Sequence, residues 1–277
     1  MDAWSNSGVS ASMVRSPSAV ERVLGLLEKP PAEPDVSAGY LDLLGPSTEP
    51  PPSLAQSVMQ STFLPQIYEK VWRPVGFNLA KGWPVGPDTA AEQAAARDWL
   101  GLAQPGDDGK PPATVLDVAC GPGNVTRALA AGVGADGLVV GLDAAQTMLA
   151  RAAADTGAKG AGPDVCYVRG NAVDLPFRDG TFDAVCCFGA LYLFDDPWTA
   201  VDGMTRVLKP GGRLIILTSR RPLALPASRL GGEIVRRATG FTVFGDREVT
   251  GALADRGLTG IRRRRYPLMQ LVAGRRP

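Results

Sequence analysis

Two carboxylates and two glycines carry the most specific chemistry in this 277-residue chain. The stretch Asp117-Val-Ala-Cys-Gly121-Pro-Gly123-Asn-Val-Thr126 closes one apolar run, and Asp143, twenty residues beyond Gly123, closes the next. Glycines at 121 and 123 let backbone approach a ligand where a side chain would clash. The helix opening after them presents unpaired N–H groups to the same place. An acid at position 143 can accept hydrogen bonds from both hydroxyls of a ribose, and it equally suits the N-cap of a helix starting at Ala144. Two residues argue against a dinucleotide. Thr126 stands where the pyrophosphate fingerprint wants glycine or alanine. Asp117 would repel phosphate and favour an ammonium group. The loop points away from a nicotinamide cofactor and toward an amino-acid-like ligand.

The elements that must hold these residues are legible from residue 113 onward. Apolar runs at 113–120, 137–143, 165–172, 182–191 and 213–219 read as strands. Helical patterns at 125–131, 144–154 and 198–208 fall between them, and Lys209-Pro-Gly-Gly212 reads as a turn with no chemistry. Strict alternation predicts a parallel sheet covered on both faces. A helix at 246–257 and two closing strands, LTGIRRRRYP and LMQLVAGRR, add an antiparallel hairpin. The expected fold is α/β, with a Rossmann-like seven-stranded mixed sheet, helices on both faces and an N-terminal helical extension. Residues 1–112 form that extension, with helices expected at 18–28, 54–72 (interrupted at Pro65) and 90–103 and a disordered start. Residues 113–277 form the core, with a cover segment at about 220–245.

Four segments in register carry a resemblance: VLDVACGPGNVT (115–126), VVGLDAAQTML (139–149), GNAVDLPFRDGTFDAV (170–185) and RVLKPGGRLIILT (206–218). In order and spacing they resemble the class I S-adenosylmethionine-dependent methyltransferases, in the branch with the quinone-biosynthesis C-methyltransferases and many small-molecule methyltransferases. The resemblance covers roughly 113–277. It implies S-adenosylmethionine as cofactor and S-adenosylhomocysteine as product. Gly121 and Gly123, with Ala119 and Asp117 nearby, would line the methionine part. Asp143 would bind the ribose, Ala144 would lie beside it, and Met148 would pack on the adenine. Asn171 and Ala172 would meet the adenine edge, and Phe188 would lie near the methyl-bearing end. Asn171 departs from the usual aspartate, but its amide oxygen can still accept from the adenine amino group. For Met148 and Phe188 plain core packing is the competing reading.

The chain has no histidine. That excludes an imidazole base, a Ser-His-Asp or Cys-His arrangement and a His-ligated metal; no metal site is expected. Transfer would then rest on positioning rather than on a histidine base. Tyr192 is the candidate catalytic residue, ahead of Tyr68 and Asp195. Tyr68, Trp72 and Trp83 offer aromatic surface for a small, hydrophobic acceptor, to be methylated on carbon or oxygen. Arg236, among Arg220, Arg221, Arg229 and Arg237, is the candidate contact for an anionic or carrier-bound acceptor. A cofactor-binding protein with another activity, such as a cyclase, or with binding alone, stays open, as does RNA or DNA methylation as a weaker alternative.

From Arg206 onward there are 16 Lys and Arg against 4 Asp and Glu, and before it 13 against 24. Such a split suits an anionic partner at the basic end, or two ends that pack together. Alternation along a strand would divide Arg262–Arg265 between two faces, so no nucleic-acid partner is expected. No apolar run reaches a membrane span, no secretory leader is recognisable, and Cys120, Cys166, Cys186 and Cys187 read as reduced buried thiols. The cytoplasm is the expected compartment.

Overall fold

In a computed structural model, which describes residues 18–45, 79–82, 88–103, 112–157, 164–221 and 240–277, eight strands join in one sheet. The N-terminal part supplies α1 (Ala19–Leu24), β1 (Leu41–Asp42) and α2 (Thr89–Leu100). Then follow β2 (Thr114–Val118), α3 (Asn124–Ala130), β3 (Leu138–Asp143), α4 (Gln146–Gly157) and β4 (Asp164–Arg169). The chain continues through β5 (Phe182–Phe188), a 3₁₀ turn at Leu191–Leu193, α5 (Pro197–Arg206) and β6 (Leu208–Ser219). It closes with α6 (Glu248–Asp255), β7 (Thr259–Arg265) and β8 (Met269–Arg275).

The strand order is β1-β4-β3-β2-β5-β6-β8-β7, with only β8 running against its neighbours β6 and β7. From β2 the chain steps outward to β3 and β4, then returns to place β5 on the other side of β2. The order thus reverses between β2 and β5, and sheets of this kind bind ligands in the crevice outside the carboxyl ends of the strands at such a switch point, here next to the end of β3. Residues such as Leu116, Val140, Val185 and Ile216 bury one face with α1, α5 and α6. Val115, Val139 and Ile215 bury the other with α2 and α3, and Tyr40, Cys120, Leu149 and Tyr167 extend it under α4.

The seven expected core strands are all present; the eighth, β1, comes from the extension that was read as helical. Its two residues pair with the end of β4, Leu41 with Val168 and Asp42 with Arg169. So short a strand has no periodic signature and exists because an edge is there to pair with. Helix α1 is shorter than expected. A Ser18–Glu21 capping box starts it, but Leu27 bridges Phe177 and the Glu28 N–H bonds the Pro176 carbonyl, which pulls the chain out of the helix after Leu24. Lys209–Gly212 is not a free turn but the start of β6. The register shifts there between Phe182 and Ala184, and the 211–212 backbone exchanges hydrogen bonds with Arg276.

The unequal charge of the two parts is partly matched internally. Arg206, Lys209 and Arg256 reach Asp179, Asp183 and Asp202. Arg262–Arg265 divide as alternation requires: Arg263 and Arg265 turn to Asp246, while Arg264 lies over the Trp99 ring.

Candidate functional site

The glycine loop joins β2 to α3 through three left-handed residues, Ala119 (φ 57), Gly121 (φ 53) and Gly123 (φ 74). Among the described residues Ala119 alone takes positive φ without being glycine. Such strain persists only where the surroundings enforce it, and it gathers at ligand sites. At Gly123 a Cβ would run into the Tyr167 hydroxyl and lie 3.0 Å from Arg127 Nη1. Gly141 on β3 is as constrained, since its Cβ would lie 2.8 Å from the Tyr167 ring and 3.0 Å from Cys120 Sγ. Tyr167 thus fills the space beneath the loop, and its hydroxyl lies 2.9 Å from Thr156 Oγ1 on α4.

Asp143 stitches the loop to the next turn. Gly121 N–H donates to one carboxylate oxygen at 2.8 Å and Ala145 N–H to the other at 2.9 Å. The residue is half-buried at the carboxyl end of β3, and a carboxylate there is a group that can accept from a ribose diol. Asp117 sits deeper, 1% exposed. It accepts from Thr126 Oγ1 at 2.7 Å and from Cys186 Sγ at 3.2 Å. The threonine that breaks the dinucleotide fingerprint therefore serves a buried carboxylate. The Cys120 thiol registers the local field: burial raises its pKa well above the usual value, and the Asp143 and Asp117 carboxylates push the same way. A loop under two carboxylates favours a cationic ligand and disfavours pyrophosphate.

Along the rim, Ala144 and Asn171 are exposed, Ala172 is half-buried and Met148 is 8% exposed against the core. Asn171 Oδ1 accepts from Val173 N–H at 2.9 Å, closing a tight turn after β4. Its second lone pair is the one an amino group would use. Phe188, 7% exposed, ends β5 beside Leu217 and Met269. Tyr192 is half-buried in the 3₁₀ turn, with its ring edge-on to Phe241 at 5.6 Å and its carbonyl accepting from Thr242 N–H. Asp195 is exposed on the following loop. Tyr68, Trp72, Trp83, Arg229, Arg236 and Arg237 lie outside the described residues. Arg220 turns inward, to Asp246 at 3.1 Å and the Tyr266 carbonyl at 2.8 Å, so it serves the fold. Phe241, Tyr167 and Gly141 were not singled out from the sequence. Only Gly141, a glycine inside a strand, carried a recognisable signal.

A methyltransferase domain model matches residues 116–216. Over 115 residues the chain is 42% identical to the demethylmenaquinone methyltransferase of Bacillus mycoides, a stretch that is 42% of this chain and 48% of that protein. The chain therefore spans about half the length of the curated relatives it matches. Among solved structures it resembles phosphoethanolamine N-methyltransferase 2 of Haemonchus contortus in complex with S-adenosyl-L-methionine, with TM-score 0.56 and 17% identity over 76% of this chain and 59% of that one. It also resembles the 4+2 cyclase SpnF, with TM-score 0.58 and 17% identity over 76% of this chain and 94% of that one. At these identities the likeness is one of fold.

Proposed function

We propose that this chain, whose fold and 116–216 domain are those of the class I S-adenosylmethionine-dependent methyltransferases, transfers a methyl group to a small, apolar metabolite. The observation that carries the reading is the Asp143 junction: one half-buried carboxylate at the carboxyl end of β3 ties the strained glycine loop to the next turn. When bound, the cofactor supplies a methyl group already activated on a sulfonium. The chain's own part is binding, orientation and exclusion of water. Asp143 holds the ribose, with Ala144, Met148, Asn171 and Ala172 around the base. Gly121, Gly123 and Ala119 line the methionine part, where the negative field of Asp117 and Asp143 suits its charges.

The acceptor sits on the Phe188 and Tyr192 side, where the Tyr192–Phe241 pair forms an apolar wall. Tyr192 is the residue proposed to share a proton with the acceptor, through its hydroxyl. The relative from Bacillus mycoides is named for demethylmenaquinone, so a quinone-like ring methylated on carbon is the leading acceptor. Tyr68, Trp72 and Trp83, as aromatic residues, and Arg236, as a partner for an acidic group or carrier, lie outside the described residues and are the acceptor contacts proposed from sequence. Four buried free thiols suit a reducing compartment such as the cytoplasm; among the described residues no helix is long and apolar enough to cross a membrane.

Incubation with methyl-labelled S-adenosylmethionine and a panel of quinones and phenols tests this. Label in the organic phase, matched by S-adenosylhomocysteine, is the expected result. Conversion of an acceptor without S-adenosylhomocysteine would mark other chemistry on this fold.

A further inference from the structure

At the sheet edge that carries β1 lies a buried guanidinium that the reading above does not use. Arg169, the last residue of β4, is 2% exposed. Its Nη1 donates to Asp42 Oδ2 at 3.0 Å and to the Gly45 carbonyl at 2.6 Å, and its Nε donates to the Ala144 carbonyl at 3.2 Å. One side chain so joins the 42–45 turn of the extension to the turn after β3. The backbone adds two ties: Leu43 N–H donates to the Arg169 carbonyl at 3.1 Å, and Gly170 N–H donates to the Asp143 carbonyl at 3.0 Å. Asp42 in turn shapes its own turn, its Oδ1 accepting from Leu44 N–H at 2.9 Å and Gly45 N–H at 3.0 Å.

A buried ion pair is a poor source of stability, because desolvation offsets most of the attraction. The planar fork of arginine is, however, well suited to hold two carbonyls and a carboxylate in a fixed relation. The two places it fixes are Ala144 and, through its own chain, the Gly170–Asn171 step. Both stand on the rim where the base of the cofactor would lie.

We infer that Arg169, braced by Asp42, is a positioning residue for the cofactor: it sets the spacing of the two walls that receive the adenine. Residues 41–45 are then a strap that links the N-terminal extension to the cofactor site. This inference rests on the reading of Ala144 and Asn171 as neighbours of the adenine.

The test is titration calorimetry with S-adenosylhomocysteine and its deaminated counterpart S-inosylhomocysteine, at a temperature where each variant is fully folded. Arg169→Lys keeps the charge facing Asp42 but cannot serve both carbonyls. It is expected to bind S-adenosylhomocysteine about tenfold more weakly and to lose much of the wild-type preference for adenine over hypoxanthine. Arg22→Ala is the control. Arg22 clamps α1 to the opposite end of the same edge, through Asp164 and the Asp136 and Gly137 carbonyls. Its loss should lower the melting temperature and leave both affinities unchanged. If Arg169→Lys does not fold, Asp42→Asn carries the test, with a loss of about threefold and the same narrowing of preference. Wild-type affinity in the variant, or a parallel loss for both ligands, would overturn the inference. Failure of the wild type to bind either ligand would instead remove the cofactor site on which it rests.

Discussion

Gly123 is the residue at which the site tolerates least. It combines φ 74 with a Cβ direction blocked by the Tyr167 hydroxyl. Gly123→Ala should therefore cost about 1–3 kcal/mol in denaturant unfolding. Tyr167→Phe removes the blocking hydroxyl, so the double variant should lose clearly less than the two single losses combined. Full additivity would mean that the two groups do not compete for that space. At this scale the sequence was most readable where chemistry demands a residue type. The glycines at 121 and 123, Asp117 and Asp143 were singled out by spacing alone. Tyr167 could not be, because a tyrosine in an apolar strand reads as core until its neighbours across the sheet are known. Thr126 was noticed only as a departure; its role as donor to Asp117 depends on a turn of α3 that spacing does not specify.

Helix α2 shows what an element's pattern hides. Its alanine-rich sequence reads as a helix at 90–103, which the structure places at Thr89–Leu100 between an Asp88 cap and a left-handed Gly101, but nothing in it tells that Glu92 is 6% exposed and bonded to the buried Lys81 at 2.7 Å. Burial is the larger influence on Glu92 and raises its pKa above the ordinary 4.5, while Lys81 opposes the rise. Lys81→Met leaves the carboxylate buried without its cation and should cost about 3 kcal/mol at neutral pH. Adding Glu92→Leu should restore most of it. The pH dependence has a definite sign. Without Lys81 the folded pKa climbs further above the unfolded one, so the stability this group contributes is present below about 4.5 and is lost as pH rises through the folded value. Urea unfolding of the single variant should thus approach wild type in acid; a deficit independent of pH would contradict the pairing. The same limit explains β1, where two residues and an edge partner decide what no local pattern can.

For the molecule as a whole, the core was legible because each buried parallel strand is a short apolar run that ends at a turn or a capping acid. The returning order around β2 is not dictated by that alternation, which other parallel sheets share. The extension was not legible in the same way. Its first described stretch, 18–45, is held by distant partners, Arg22 with Asp164, Leu27 with Phe177 and Asp42 with Arg169, more than by its own propensities. The proposed acceptor side is the least determined by sequence, since the Tyr192–Phe241 ring contact forms between residues nearly fifty positions apart.

Everything proposed for this protein depends on the crevice beside Asp143 accepting the cofactor. Isothermal titration with S-adenosylmethionine and S-adenosylhomocysteine, in the wild type and in Asp143→Ala, tests it most directly. Micromolar binding of both ligands, weakened at least about tenfold in the variant, is the predicted result. No binding of either ligand, or equal binding by the variant, would contradict it.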